Sequence, residues 1–521
     1  MQTISSSKGL LIENNKPVQR TPCQIVWLKR DLRLRDHAPL QAAVATGLPT
    51  LLCFCFEPSY MHCPESDVRH WRFIRQCLDD LQQQLKPFHI PLYVFYGEVI
   101  EVFEQLADFL DIRFLYSYQE TNLQITFERD KAVKKFCQSK GIVWKEFPSN
   151  GIVRGLKNRQ GWVEEWQRRM EAAQHTADLR ALHPLMLPQE WQPLCRTQQL
   201  PEAILKNDKN FQPGGETNAW RYAESFFRER AANYSRHMSK PEESRRSCSR
   251  LSPYLAYGAL SIRQLYQIAK KQEANGMMPL QMRNFQARLW WHCHYIQKFE
   301  MECRMESACI NRAHQKFAKP IIPAYLEAWQ KGTTGFPLVD ACMRAVAATG
   351  YLNFRMRAML VSVLTHTLWQ DWQPGAVHLA RLFLDFEPGI HYPQFQMQSF
   401  AIGHHFLRIY HPVKQSYEHD PQGNFIRKWV PELQHVPAPL IHEPWKMTAM
   451  EQQFYKCRIG ADYPFPLVNH QQAATKARLW QKAMEQDPEV KAENERIVKK
   501  LSNPKAEMKH IPALATPMRK Q

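Results

Sequence analysis

No apolar run in the 521 residues reaches the roughly 18 residues that a membrane-crossing helix needs, so no membrane span is expected. The opening stretch, MQTISSSKGLLIENNKPVQR, lacks the apolar centre of a secretory signal and reads as a disordered arm over 1–20. The 13 cysteines are odd in number and have no framework spacing, which excludes a disulfide scaffold and favours reduced thiols in a cytoplasmic setting. Cys293, Cys303 and Cys309 lack a close fourth partner, so they read as small buried hydrophobes and no metal site is expected. No Gly-x-Gly-x-x-Gly follows the first apolar run, so the dinucleotide fingerprint is absent. Negative charge is also short. Asp and Glu total 50 against 68 Lys and Arg, a net charge of +18 that favours a polyanionic partner, nucleic acid first. Part of that excess lies between Lys491 and Lys520, and 481–521 reads as a solvated basic tail.

A chain this long implies two domains plus tails. Short apolar runs (QIVW from Gln24, LPTLLCFCFEP, IPLYVFYG, IRFLYSYQE, IVWKEFP) alternate with helical stretches near Asp67–Leu85, Val99–Leu110 and Asn122–Lys140. That alternation predicts an α/β domain over 21–150, with a parallel, Rossmann-like sheet covered by helices. Ligands of such sheets sit at the carboxyl ends of the strands, which makes Lys29, Arg30 and Glu120 weak candidates for binding one. The proline-punctuated stretch 151–214 reads as a connector, with Thr217 as the cap of the helix that follows. From 215 to about 480 strand signals fade and an all-α domain is expected.

The stretch from Thr333 to Gln396 organises the rest. Leu338, Cys342 and Val346, then Met356, Met359, Leu360, Val363, Leu364 and Leu368, recur at helical spacing, giving two helices broken at Ala348-Thr349-Gly350. Arg357 lies on the second, and Asp385 lies in a later apolar segment. Burying an arginine is costly unless a carboxylate neutralises it, so the two are expected to pair, as a structural ion pair or as part of a site. The run Ser247-Cys248-Ser249-Arg250-Leu251-Ser252-Pro253 offers backbone donors and a helix start to an anion, or is simply a Ser-capped helix.

Taken together, Gly335 to Arg344, Arg355-Met356-Arg357, Asp371-Trp372, Asp385-Phe386-Glu387 and Ser249-Arg250-Leu251-Ser252-Pro253-Tyr254-Leu255 closely resemble the flavin-binding core of the photolyase/cryptochrome family. Trp27-Leu28-Lys29-Arg30-Asp31-Leu32-Arg33 resembles its opening motif, and the likeness runs from about Gln24 to Met447. The resemblance implies a helical domain holding FAD in a bent pose. Its contacts would come from Tyr234, Cys248, Ser249, Arg250, Leu251, Ser252, Phe285, Arg288, His292, Phe354, Arg357, Asp385, Glu387 and His391. It also allows for an antenna chromophore of unknown identity in the N-terminal domain. DNA, single- or double-stranded and UV-damaged, would be met by Arg288, Trp291, Arg355, Met397 and Arg408.

Several positions depart from the family pattern. Arg288 stands where dimer photolyases carry a lesion-contacting glutamate, His292 where an arginine faces phosphate, Phe354 where an asparagine is usual, and Cys248 where threonine is. His391 occupies the position facing flavin N5, where a histidine could exchange a proton near neutral pH. The electron-transfer tryptophans map onto Trp329 (outer) and Trp372 (middle), while the inner place is Phe395. A phenylalanine breaks that chain unless Trp369 or a neighbouring tyrosine substitutes. The implied function is a DNA photolyase, a carbon–carbon lyase that repairs pyrimidine lesions with an electron from reduced FAD. The alternative is a cryptochrome-type blue-light receptor without repair activity, its signalling partner unknown.

Overall fold

The computed structural model describes residues 21–188, 199–402 and 407–503. The expected arm over 1–20 and the last residues of the tail lie outside them. The five apolar runs form strands β1 (Pro22–Leu28), β2 (Thr50–Phe56), β3 (Leu92–Tyr96), β4 (Asp111–Tyr118) and β5 (Val143–Phe147). All neighbours pair in parallel, in the order β3-β2-β1-β4-β5. The central strands β1 and β2 are buried almost throughout because helices cover both faces. Successive side chains alternate faces. Ile25 and Trp27 therefore pack with Phe103 and Phe136 on one side. Val26 and Leu28 join a core on the other side that continues into the helical region, through Tyr254, Leu260 and Trp290.

The longer helices are α1 (Ala38–Thr46), α2 (Val68–Leu85), α3 (Val99–Phe109), α4 (Gln124–Lys140), α5 (Trp162–Glu171), α6 (Glu216–Arg228), α7 (Ile262–Ala274), α8 (Pro279–Met301), α9 (Pro323–Lys331), α10 (Pro337–Thr349), α11 (Phe354–Ser362), α12 (Trp372–Leu382), α13 (Pro388–Gln398), α14 (Pro412–His419), α15 (His470–Gln486) and α16 (Pro488–Leu501). Among the described residues no helix is long and apolar enough to cross a membrane, and every described cysteine is a free thiol. Helix α10 ends at Gly350, whose φ of 68° lets its N–H close on Val346, so the break falls where expected. Helix α11 runs into a π-turn at Val363–Thr367.

Three expectations change. Within the stretch read as connector, Trp162, Val163, Trp166 and Met170 make one buried face of α5. Thr217 is not a cap: Gly215 precedes α6, and the Thr217 N–H donates to Asp80 at 3.0 Å. The stretch read as a solvated tail is helical through Leu501. Ile497 and Leu501 enter the core of the helical region. Arg496 and Lys500 pair with Glu302 at 3.2 and 3.0 Å, so these charges serve the fold. A purely compositional reading of 481–521 missed the apolar positions spaced along α16.

The loop after β1 is the joint between sheet and helices. The Leu32 N–H donates to Tyr257 O at 3.2 Å, and Arg33 Nη1 to Gly258 O at 2.9 Å. Gly258 has φ +68° and approaches so closely that an added Cβ would sit 2.1 Å from the Arg30 carbonyl.

Candidate functional site

The segment before Pro253 is folded onto itself by arginines. Arg230 donates to the Cys248 carbonyl and, at 3.1 Å, to that of Ser249. Arg250 has φ 61°, which turns its carbonyl to accept from Gln212 Nε2 at 2.7 Å. Its guanidinium lies 3.7 Å over the Tyr351 ring. Arg245 reaches the Tyr351 carbonyl at 3.3 Å. Burial and the neighbouring Arg250 charge hold Arg230 and Arg245 below the usual guanidinium range. Such a concentration of buried positive charge, beside the Ser249–Ser252 backbone, suits a ligand with several negative oxygens. Burial pushes the Cys248 thiol up to about 11, so it stays protonated. Tyr234 and Phe285 lie behind this segment, packed edge-to-face with Phe226 and Phe227, and Leu251 is buried against the same core.

Arg357 and Asp385 meet as expected, with Nη2 2.9 Å from Oδ2. The Arg357 Nε donates to Leu352 O at 2.7 Å, and its guanidinium lies 4.0 Å over Phe383. Burial works to raise the Asp385 pKa, but the Arg357 guanidinium prevails and holds it below the usual carboxylate range. The other carboxylate oxygen, Oδ1, is buried without a hydrogen-bond partner among the described residues. So are His292 Nε2 and Arg250 Nε. Buried polar atoms are normally satisfied, and these three orphans suit a polar ligand. Burial, with Arg30 adding to it, lowers His292 to about 4, so the ring is neutral at pH 7. Glu387 faces Arg30 at 3.4 Å; burial pushes its carboxyl up to about 7.

His391 does not meet the expectation of a proton exchanger near neutral pH. Its Nε2 is 2.8 Å from the Ala376 carbonyl, which makes it the N–H donor. Burial drops its pKa to about 4, so the ring stays neutral and that proton stays committed. The ring sits between Phe386 (5.3 Å) and Phe395 (4.8 Å). Trp329, expected as an outer electron carrier, is fully buried with its indole N–H on Leu360 O at 3.1 Å. It is a core residue with no face to solvent. Trp372 is buried at the start of α12, and Trp369 packs against Trp480 at 5.9 Å.

Helix α8 places Arg288, Trp291 and Tyr295 on one face, at spacings of three and four. Trp291 stacks on Tyr295 (5.7 Å, 28°), and the Tyr295 hydroxyl donates to Met397 Sδ at 3.8 Å. Arg288 lies 5.6 Å over Phe354, which is 47% exposed. Phe354 thus stands at the rim with the DNA candidates, apart from the Arg357–Asp385 pair. Arg355 lies 6.0 Å over Tyr410, and Arg408 is exposed. Among the described residues none of Arg288, Arg355 and Arg408 is in an ion pair.

Sequence reading passed over Arg230 and did not see the bridge from Arg30 to Glu387. Lys29, Arg30 and Glu120 all have internal partners: Asp130 at 3.0 Å, Glu387, and Arg129 at 2.5 Å. For Lys29 and Arg30 no local spacing signals this, because their partners are distant in the chain; Arg129 is only nine residues from Glu120 but lies on the helix that follows. A separate cavity of about 260 Å³ opens at the carboxyl ends of β4 and β5, lined by Arg33, Tyr118, Phe147, Asn150 and Arg263 among others.

A parallel five-stranded sheet joined through the loop after β1 to a helical domain, with an arginine-rich cradle, defines a two-domain α/β-plus-α protein with a site for an anionic ligand. Comparison with known proteins makes this specific. Residues 285–483 match the family model of the FAD binding domain of DNA photolyase, and residues 24–159 match that of DNA photolyase. The deoxyribodipyrimidine photo-lyase of Alkalihalophilus pseudofirmus is 28% identical over 477 residues, covering 87% of this chain and 96% of that one. Cryptochrome DASH of Synechocystis is 27% identical over 482 residues, covering 88% and 97%. The solved cryptochrome of Synechocystis shares the fold, with a TM-score of 0.79 at 24% identity over 88% of this chain and 99% of that one. The chain belongs to the photolyase/cryptochrome family, and its helical part is an FAD-binding domain.

Proposed function

We propose that the protein is a light-driven DNA photolyase that acts on pyrimidine lesions. The observation that carries this reading is the rim of the cradle. Three arginines that form no ion pair among the described residues mark it: Arg288 and Arg408 near the stacked Trp291 and Tyr295, and Arg355 over Tyr410. Arginines of this kind attract phosphates, and a flipped base needs an aromatic platform. Behind the rim, Arg357, Asp385 and the Ser249–Ser252 run would hold FAD, with Arg230, Arg245 and Arg250 offsetting diphosphate charge. Asp385 Oδ1 and His292 Nε2 supply the polar contacts that the flavin ring system presents. Tyr234, Phe285 and Leu251 set the wall behind the cradle, and Glu387, bridged to Arg30, fixes its floor. Bound there in its reduced form, FAD would supply the light-driven one-electron chemistry that the repair of a lesion needs. The chain positions the two, excludes water, and keeps His292 and His391 neutral so that neither adds a charge there. The cavity at the ends of β4 and β5 offers room for part of an antenna chromophore.

A second reading, a cryptochrome-type light receptor without repair, is favoured by two observations. Phe395 lies against His391 where an electron-carrying tryptophan is usual, and Arg288 replaces the lesion-binding glutamate. Anaerobic illumination of the reduced protein with single- and double-stranded DNA carrying cyclobutane dimers or (6-4) products separates the two. Lesion loss only in blue light is the expected result. No loss, with flavin bound and photoreducible, leaves the receptor reading.

A further inference from the structure

Helix α13 carries a tyrosine beside the histidine of the cradle, and that tyrosine is held in an unusual way. Tyr392 is 1% exposed, and its hydroxyl donates to Glu65 Oε1 at 2.7 Å. Glu65 comes from the loop before α2 and is itself 8% exposed. The Tyr392 ring stacks on Phe299 (6.2 Å, 14°) and lies 5.5 Å from the His391 ring. Phe395, one turn further along α13, touches the same His391 at 4.8 Å. The ring that would usually relay electrons is therefore a phenylalanine. Beside it stands a phenol with a carboxylate at hydrogen-bonding distance.

We propose that Tyr392, with Glu65 as its proton acceptor, is the electron donor that reduces the photoexcited flavin in this protein. A phenol gives up an electron at moderate potential only if its proton leaves at the same time, because the protonated phenol cation is a very strong acid. Glu65 is at the 2.6–3.2 Å reach that a general base needs. The step balances: one electron leaves the Tyr392 phenol for the oxidised flavin. The O–H bond breaks, its proton forms a new O–H bond on Glu65, and Tyr392 is left as a neutral phenoxyl radical. Phe395 has no acidic proton to lose, and the Trp329 indole N–H is held by the Leu360 carbonyl at 3.1 Å, which cannot take a proton as Glu65 can, so neither offers a proton-coupled route. The proposal rests on placing FAD beside Asp385 and His391. It adds the residue that passes one electron per photon to the flavin: one such step is the change the receptor reading uses as a signal, and two, with an external thiol returning the phenoxyl radical to tyrosine after each, give the reduced form the repair reading needs.

The test is photoreduction of purified flavin-loaded protein in blue light, followed by transient absorption and electron paramagnetic resonance. The wild type is expected to show a tyrosyl radical and a rate that falls in deuterated water. Tyr392→Phe, which keeps the stack on Phe299, should lose the radical and slow photoreduction at least tenfold. Glu65→Gln should slow it comparably and abolish the isotope effect, while Glu65→Asp should restore part of both. A tryptophanyl radical that survives Tyr392→Phe and vanishes in Trp372→Phe would overturn the proposal. So would an unchanged rate in Tyr392→Phe, or a wild type that forms no radical. Bound flavin separates these results from failure of the underlying reading. Asp385→Ala protein that keeps its flavin, with Tyr392 silent, would remove both.

Discussion

Arg30 and Glu387 face each other across the joint between sheet and helices, 3.4 Å apart, with side chains only 13% and 9% exposed. The guanidinium also donates to Ala256 O at 2.6 Å and Phe386 O at 2.9 Å. One side chain from the loop after β1 thus bonds both the segment after Ser252 and the segment that carries Asp385. Removing one partner of a buried pair leaves the other uncompensated, at about 3–5 kcal/mol. Arg30→Ala is expected to lose roughly that much in denaturant unfolding. Arg30→Lys should recover only part, since an ammonium cannot fork to two carbonyls and a carboxylate. An alanine variant within about 1 kcal/mol of wild type would show that the joint is held elsewhere.

The same carboxyl gives a pH signature. Burial raises Glu387 from 4.5 to about 7 despite Arg30. A carboxyl raised in the folded state binds more protons folded than unfolded between those values. Its contribution is therefore complete below about pH 4.5 and is lost as pH rises through about 7. His292 and His391, both lowered to about 4, act in the opposite sense between about 4 and 6.5. The difference between Glu387→Gln and wild type isolates the carboxyl from these histidines. The glutamine variant should gain stability relative to wild type from pH 5 to pH 8, read as a growing Tm difference. A difference that is flat with pH would place the Glu387 pKa near its ordinary value.

Asp385→Ala tests the cradle. The substitution leaves the Arg357 guanidinium with the Leu352 carbonyl alone and removes the orphaned Oδ1 altogether. Purified protein is expected to be colourless, with flavin affinity down at least a hundredfold. Asp385→Asn keeps an acceptor of the same shape without the charge, and should retain a measurable fraction. Full yellow colour in the alanine variant would move the flavin contact to another residue.

How much of this could be read in advance follows from chain distance. The strands of the sheet and helices α2 to α4 were legible because their apolar periods are local. The Arg357–Asp385 pair was legible because two charges in apolar stretches need each other, even 28 residues apart. Arg30 with Glu387 and Glu65 with Tyr392 were not, since each partner sits hundreds of residues away and neither has a local pattern. The burial of Trp329 was not legible for a related reason: tryptophan suits both a redox chain and a core, and spacing alone does not tell how exposed it is. The protonation expected of His391 also differs from what the structure shows. The hydrogen bond to Ala376 that commits its proton is made between α13 and α12 and leaves no trace in the sequence.

The rim arginines give the last prediction. Burial raises the Tyr295 phenol pKa, while Arg288 and Arg408, on different elements, lie near enough to lower it. If DNA phosphates meet them there, each contributes one released counterion. The logarithm of affinity falls with the logarithm of salt at about 0.9 per phosphate neutralised on duplex and about 0.7 on single strand. Arg408→Ala is therefore expected to reduce the slope by about one such unit, uniformly across sequences and whether or not the DNA is damaged. Arg288→Ala should reduce it similarly. It should also erase any preference for lesion-bearing DNA, because Arg288 alone of the two borders Phe354 and shares the Trp291 face. Fluorescence anisotropy titrations at four or five salt concentrations read both effects. A slope unchanged in Arg408→Ala, with affinity intact, would place the phosphate track on another face. Loss of lesion preference in Arg408→Ala but not in Arg288→Ala would exchange their roles.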